Sequence, residues 1–218
     1  MEFKARLMGM KTVISVLALT SGVMAMAQTP ADRRTFTHPL GFSYAIPGDW
    51  EVVDSNAGLN DAKQQAKETA KSEEEKKGVG CVEVGLTARH EGSVIVEVAM
   101  PFDCYGQSFT DAELPSFGKG VAEGIQSSFT VNEPVTTRYT LGTHHLWIER
   151  TKGTPKNDST HQYTVEIACG LMKKAAVCWM TMAADDGALT IFEQGAVTLE
   201  DDAPAALVPV TAFAAKPM

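Results

Sequence analysis

Five histidines are the side chains of this sequence best suited to metal or acid–base chemistry: His38, His90, His144, His145 and His161. Neutral imidazole is a common metal ligand, but no His-Glu-x-x-His pattern is present. On a strand, the adjacent His144 and His145 point to opposite faces and cannot hold one ion side by side. We therefore predict no metal site. If the pair lies in a turn, His144, His145 and His161 are the alternative set of ligands.

Sequence motifs for common catalytic and cofactor sites are missing. The chain has no Gly-x-Ser-x-Gly nucleophile motif, no Gly-x-Gly-x-x-Gly dinucleotide motif and no P-loop. The paired acids Asp185-Asp186 and Asp201-Asp202 lack the alternating oxygen ligands of a calcium loop, and turn chemistry explains them more simply. We predict no catalytic residue and no cofactor.

Composition restricts the class of protein. The 218 residues are 44% hydrophobic, which suffices for one domain with a core. The net charge of −8 and the pI near 5.1 argue against a nucleic-acid partner, which requires a basic surface.

The first 27 residues have the features of a cleaved signal peptide. Lys4, Arg6 and Lys11 precede a short apolar run over 12–23, and Ala25-Met26-Ala27 matches the small-x-small cleavage pattern. The run is about half the ~20 residues that span a bilayer, so a retained anchor is the weaker alternative. The predicted mature chain begins at Gln28, carries a net charge of −10 and is periplasmic or secreted.

The four cysteines fit an oxidising compartment. Cys81, Cys104, Cys169 and Cys178 form no Cys-x-x-Cys pair, and four cysteines allow three disulfide connectivities. Alternating apolar residues in 162–170 and 175–183 predict two antiparallel strands whose register places Cys169 opposite Cys178. We therefore favour Cys169–Cys178, and Cys81–Cys104 follows by elimination.

A second hairpin is predicted between Cys81 and Cys104. Its loop would be His90-Glu91-Gly92, and it would pair Leu86 with Val96 and Ala88 with Val94. Cys81 then falls opposite Pro101, so the chain must bend after Pro101 to close the second disulfide.

A charged helix is predicted over residues 60–77, with Asn60 as its N-cap. Its apolar stripe consists of three alanines, and its acids and bases balance. Such a helix buries little surface, so we interpret it as a solvated insertion; a partner-docking arm is the alternative.

Two further helices are predicted. Thr110 and Glu113 fit a capping box before a helix that reaches about Ser128, and glycines in this helix would permit close approach to a sheet. The apolar spacing of Leu189, Phe192, Ala196 and Leu199 suggests a last short helix. Strands are predicted over 135–141, 144–151, 162–170 and 175–183, and the tail over 201–218 is expected to be flexible.

The order of these elements predicts an α+β domain over 28–200, with about six to eight antiparallel strands packed against helices. Within it, the stretch His38-Pro-Leu-Gly-Phe-Ser-Tyr-Ala-Ile-Pro-Gly-Asp-Trp50 resembles the opening strand of PsbP-like and Mog1-like domains of bacterial secreted proteins. The resemblance implies an α/β/α-type sandwich and a non-catalytic binding or assembly-assisting role. From the residues alone, Phe42, Tyr44 and Ile46 are expected to pack on one sheet face, covered by Trp50.

The sequence therefore predicts an exported, non-catalytic module that binds an extracytoplasmic protein or small ligand. An envelope hydrolase or a metal-handling protein with dispersed site residues is the alternative.

Overall fold

The computed structural model describes residues 34–46, 48–54, 56–126, 128–141, 143–158, 160–184, 196–200 and 205–206. The predicted signal peptide, Asp185-Asp186, Asp201-Asp202 and residues 207–218 lie outside the described residues. The described strands are β1 Arg34–His38, β2 Phe42–Ile46, β3 Glu51–Val52, β4 Glu83–His90, β5 Ser93–Pro101, β6 Phe129–Val131, β7 Val135–Leu141, β8 His144–Pro155, β9 Tyr163–Leu171, β10 Ala175–Ala183, β11 Ala196–Leu199 and β12 Ala205–Ala206. The described helices are α1 Asn56–Thr69, α2 Glu73–Cys81, α3 Phe102–Tyr105 and α4 Leu114–Gln126.

Two antiparallel sheets form the fold. The large sheet has eight strands in the order β3-β4-β5-β10-β9-β8-β6, with β7 also paired to β8, and the small sheet has the order β1-β2-β11-β12. The predicted α+β class with an antiparallel sheet of six to eight strands is confirmed. None of the four helices described combines the length and apolarity that crossing a bilayer requires.

Each face of the large sheet has its own core. On one face, α4 packs Phe117 and Ile125 against β9 and against Trp147 of β8. On the other, the small sheet buries Phe42, Tyr44 and Trp50 around Trp179, with the Phe42 and Trp179 rings edge to face at 6.1 Å. The expected packing of the aromatic residues around the opening strand is confirmed.

The β9–β10 hairpin has the predicted register. Cys178 lies opposite Cys169, and a disulfide joins them across a Cα–Cα distance of 4.1 Å. Both cysteines are fully buried in the helical-face core, because alternate residues of each strand face α4.

The β4–β5 hairpin departs from the predicted register. Its loop has two residues, Glu91 and Gly92, both with positive φ (45° and 80°). Because this loop is one residue shorter than predicted, Leu86 pairs with Glu97 instead of Val96 and lies in the core under the small sheet. A β-bulge at Gly85 then shifts the register by one residue, so that Val84, which pairs with Val98, packs on the opposite face.

The charged insertion is two helices rather than one. Ser72 is the N-cap of α2 and its side chain accepts a hydrogen bond from the Glu75 N–H at 3.1 Å, which explains the break after α1. Asn60, predicted as the cap, lies inside α1. The disulfide Cys81–Cys104, with a Cα–Cα distance of 5.5 Å, fastens the end of α2 to α3.

Helix α4 begins at the predicted capping box, where the Thr110 N–H donates to the Glu113 carboxylate at 2.8 Å. It ends before Ser128 because β6 begins at Phe129. The expected close approach to the sheet is confirmed at Gly118, where an added Cβ would lie 2.2 Å from the Trp147 ring.

One prediction of secondary structure near the end of the described chain is wrong. Residues 196–199, predicted as helix, form β11 and pair with β2, because Leu199 has a place in the core under the small sheet. Before Phe42, residues 34–38 form β1, a strand that the sequence patterns do not predict, and β1 pairs with β2. β12 lies within the tail that the sequence predicts to be flexible.

Candidate ligand-binding cleft

The three histidines considered as alternative metal ligands lie at the two ends of one hairpin. His144 and His145 begin β8, whereas His161 precedes β9 at the opposite end and contacts Asp158 at 2.7 Å. The register, with Leu146 opposite Gly170 and Gly153 opposite Tyr163, keeps these ends a full strand length apart. One ion cannot contact all three histidines. Within the described residues, no cluster of three metal-ligating side chains is found.

His144 and His145 reach different elements, as expected for neighbours on a strand. His144 Nε2 lies 3.3 Å from the Glu200 carboxylate, just after β11. His145 Nδ1 lies 2.6 Å from Asp111, in the turn before α4. The pair therefore links the start of β8 to the small sheet on one side and to the helical layer on the other.

A cleft of about 350 Å³ opens between these two contacts. Polar side chains at its wall come from separate chain segments and are Asp111, Thr143, His144, Lys173 and Glu200. Its apolar part is formed by Phe109, Leu171 and Met172. The volume lies at the lower end of the range for ligand sites, which suits one or two side chains or a small molecule.

Glu200 is held in the cleft by its backbone and by two strand ends. Its φ of 54° is left-handed, and its N–H donates to the Gly41 carbonyl at 2.7 Å. The Lys173 N–H donates to Glu200 Oε1 at 2.7 Å, and Lys173 Nζ lies 3.6 Å from Oε2.

These contacts set the charge of Glu200. Its partial burial raises the pKa of the carboxyl, but the Lys173 N–H, the His144 imidazole and the Lys173 ammonium outweigh this and bring the pKa below its ordinary value. Glu200 is therefore an anion at neutral pH.

The apolar side of the cleft is rigidly backed. The Phe109 ring packs against Phe117 at 5.2 Å and against Phe102 at 5.6 Å. Leu171 and Met172 are buried at the end of β9, where the β9–β10 loop turns. One side of the Phe109 ring remains part-exposed to the cleft.

A chain of polar contacts crosses the cleft wall. Thr143 Oγ1 lies 3.4 Å from His144 Nδ1, and His144 Nε2 contacts Glu200. A hydroxyl, an imidazole and a carboxylate in series are the groups of a hydrolytic triad. Here the hydroxyl distance is at the outer limit of a hydrogen bond.

Sequence reasoning identifies His144 but misses Glu200 and Lys173. Glu200 directly precedes the acid pair Asp201-Asp202, for which turn chemistry is the simpler interpretation. Its approach to His144 depends on how the small sheet packs on the large one, and no local spacing records that.

Four buried carboxyls of the described residues lie away from the cleft: Glu75, Glu97, Glu149 and Glu166. Glu166 pairs with Arg150 at 2.6 Å, and Glu149 accepts a hydrogen bond from Gln126 at 2.7 Å. Burial is the largest cause that raises the pKa of both carboxyls, and these partners offset it only in part.

Glu97 is the exception among the described buried carboxyls. It has no exposed surface, and neither of its carboxyl oxygens has a hydrogen-bond partner. One oxygen lies over Gly85, 1.8 Å from where a Cβ would stand, and the His38 ring borders the same point. Burial raises the pKa of Glu97 well above its ordinary value, the Leu86 backbone opposes this, and the nearby charge of Glu83 adds to it.

The remaining histidines have structural partners. His38 stacks on Phe42 with ring centroids 4.6 Å apart, and its Nδ1 accepts the Leu40 N–H. His90 stacks on Trp50 at 5.9 Å.

Comparisons with known proteins bear on the fold of the chain. No protein-family model matches the sequence, and no curated protein matches it. The chain is similar to the solution structure of cyanobacterial PsbP (CyanoP) from Synechocystis sp. PCC 6803, with a TM-score of 0.41 and 10% sequence identity, over 79% of this chain and 91% of that chain. That protein is of the PsbP class that the opening strand resembles. We base no argument on a likeness with so low a TM-score. The α+β fold follows from the strand order, the register and the two cores.

Proposed function

We propose that the protein is an exported, non-catalytic module that binds an extracytoplasmic protein or small ligand in the cleft at the start of β8. The observation that carries the proposal is the cleft itself, where charged groups from separate chain segments surround an apolar wall. Five of the eight lining residues are polar or charged, so the cleft suits a ligand that carries charge or hydrogen-bonding groups and a small apolar part.

Export is supported by the signal-like first 27 residues and by both disulfides, since such bonds persist in oxidising compartments. N-terminal sequencing of the protein from the cell envelope tests it. We expect Gln28 as the first residue, and an intact Met1 or Met10 would refute cleavage.

Affinity purification from an envelope extract tests the binding role. Thr143→Trp places a large ring at the exposed rim of the cleft, and Thr130→Trp makes the same change at an exposed position on β6. We expect a specific partner with the wild type and with Thr130→Trp, and its loss with Thr143→Trp. Equal recovery with both variants would refute the cleft as the binding site.

The charged insertion offers a second docking surface, which the same experiment separates. A variant lacking residues 60–77 keeps the cleft but removes most of α1 and α2. Loss of the partner in this variant alone would assign binding to the helical arm instead.

A hydrolase is the alternative that the Thr143–His144–Glu200 contacts favour. It predicts turnover of an activated ester that Thr143→Ala and His144→Ala both abolish. Hydrolysis no faster than with heat-inactivated protein would eliminate this alternative.

A further inference from the structure

We infer that the cleft receives a cationic side chain, arginine above lysine, from a basic segment of an exported partner protein. This inference rests on the proposed binding function and names the chemistry of its ligand.

The charges of the cleft favour a cation. Asp111 and Glu200 both line it, and the Asp111 side chain is 59% exposed. The acid–base balance of the whole chain, 27 acidic against 19 basic residues, adds a long-range field that attracts basic partners.

The apolar wall suits the rest of such a side chain. Arginine and lysine bury their methylene stems along apolar surface while the charged head stays with polar groups. The part-exposed ring of Phe109 provides that surface, on which a guanidinium can also stack, and the buried side chains of Leu171 and Met172 complete the wall. A carboxylate at the end of the wall then accepts the head through charge-assisted hydrogen bonds.

Lys173 is the cation that a ligand must displace. Its ammonium lies 3.6 Å from Glu200 and its side chain is 77% exposed, so the pair is weak and opens readily. The Lys173 backbone N–H can keep its own bond to Glu200 Oε1 while the side chain swings away. Removing the Lys173 charge should therefore tighten the binding of a cation, whereas it would weaken the binding of an anion.

Matched peptides test the inference. The probes are acetyl-Gly-Ser-Leu-Arg-Leu-Ser-Gly-amide and two versions in which citrulline or glutamate replaces arginine, each titrated into the mature protein by isothermal titration calorimetry. We expect the arginine peptide to bind about fivefold to tenfold more tightly than the citrulline peptide. The difference should vanish at about 1 M salt, where the screening length is about 3 Å.

Protein variants assign the effect to the cleft. Glu200→Gln should weaken the arginine peptide about fivefold and Lys173→Gln should strengthen it. Asp111→Asn should also weaken the binding of the arginine peptide. Because the Asp111 side chain is exposed, this variant tests the inference even where Glu200→Gln disturbs folding. Glu133→Gln, at an exposed side chain between β6 and β7 that does not line the cleft, should leave the affinity unchanged.

Two outcomes overturn the inference. Tighter binding of the glutamate peptide, weakened by Lys173→Gln, would assign an anionic ligand and leave the proposed binding function intact. Binding of none of the peptides would also overturn it, and the affinity purification with Thr143→Trp would then decide the proposed function separately.

Discussion

Replacing Glu97 by glutamine should remove a large part of the pH dependence of folding. Glu97 is fully buried beneath the small sheet with neither carboxyl oxygen hydrogen-bonded, and Gln keeps its size without a titrating proton. Because burial raises the pKa of this carboxyl in the folded protein, the folded state holds a proton that the unfolded chain releases.

The sign and size follow from this linkage. The stabilisation that comes from the proton on Glu97 is fully present below the ordinary glutamate pKa and is lost as the pH rises toward the folded-state pKa. In that window one proton contributes up to about 1.4 kcal/mol per pH unit. His38 borders the same point and the charge of Glu83 acts on Glu97, but both residues remain in the variant, so their effects largely cancel in the comparison.

Urea unfolding of the wild type and of Glu97→Gln, measured from mildly acidic to neutral pH, provides the assay. We expect the wild type to lose stability relative to Glu97→Gln as the pH rises. Glu51→Gln is the control, because the hydrogen bond from Arg89 lowers the pKa of the Glu51 carboxyl and its titration therefore lies below the pH range measured. The difference between the wild type and Glu51→Gln should therefore stay constant with pH. A wild-type to Glu97→Gln difference that does not change with pH would refute the reasoning.

Two further predictions concern packing and the helical arm. Gly118→Ala should lower the free energy of unfolding in urea by about 1–3 kcal/mol, because its Cβ would overlap the Trp147 ring. Gly80→Ala, whose nearest neighbour is 4.0 Å away, should not lower it. Equal effects of the two substitutions would contradict the close contact between helix and sheet. Replacing Cys81 and Cys104 by serine should cost about 2–4 kcal/mol and speed hydrogen exchange in residues 56–81. Unchanged hydrogen exchange in these residues would show that the disulfide does not hold α1 and α2 in place.

The parts of the fold that can be predicted are those with a local signal. Strict alternation sets the β9–β10 register, so Cys169 and Cys178 can be paired from their positions in the sequence. The Thr110–Glu113 box marks the start of α4. The break in the insertion has an equally local signal in Ser72 and Glu75, but the continuous run of helix-forming residues around them favours a single helix.

The parts that could not be predicted depend on contacts between distant segments. The two-residue loop and the bulge at Gly85 leave no break in the apolar alternation, yet they place Val84 and Leu86 on opposite faces of the sheet. Residues 196–199 have helical spacing, but pairing with β2 and burial of Leu199 decide for a strand. For the same reason, Glu200 and Lys173 could not be assigned to a site, since the packing of the two sheets brings them to His144.

Site-specific photo-crosslinking in the cell envelope tests the binding role of the cleft most directly. A photoreactive amino acid at position 143, on the rim, should give one covalent adduct of defined mass, and the same amino acid at position 130 should not. Adducts at position 130 but not at position 143, or none at either, would contradict a ligand site at the start of β8.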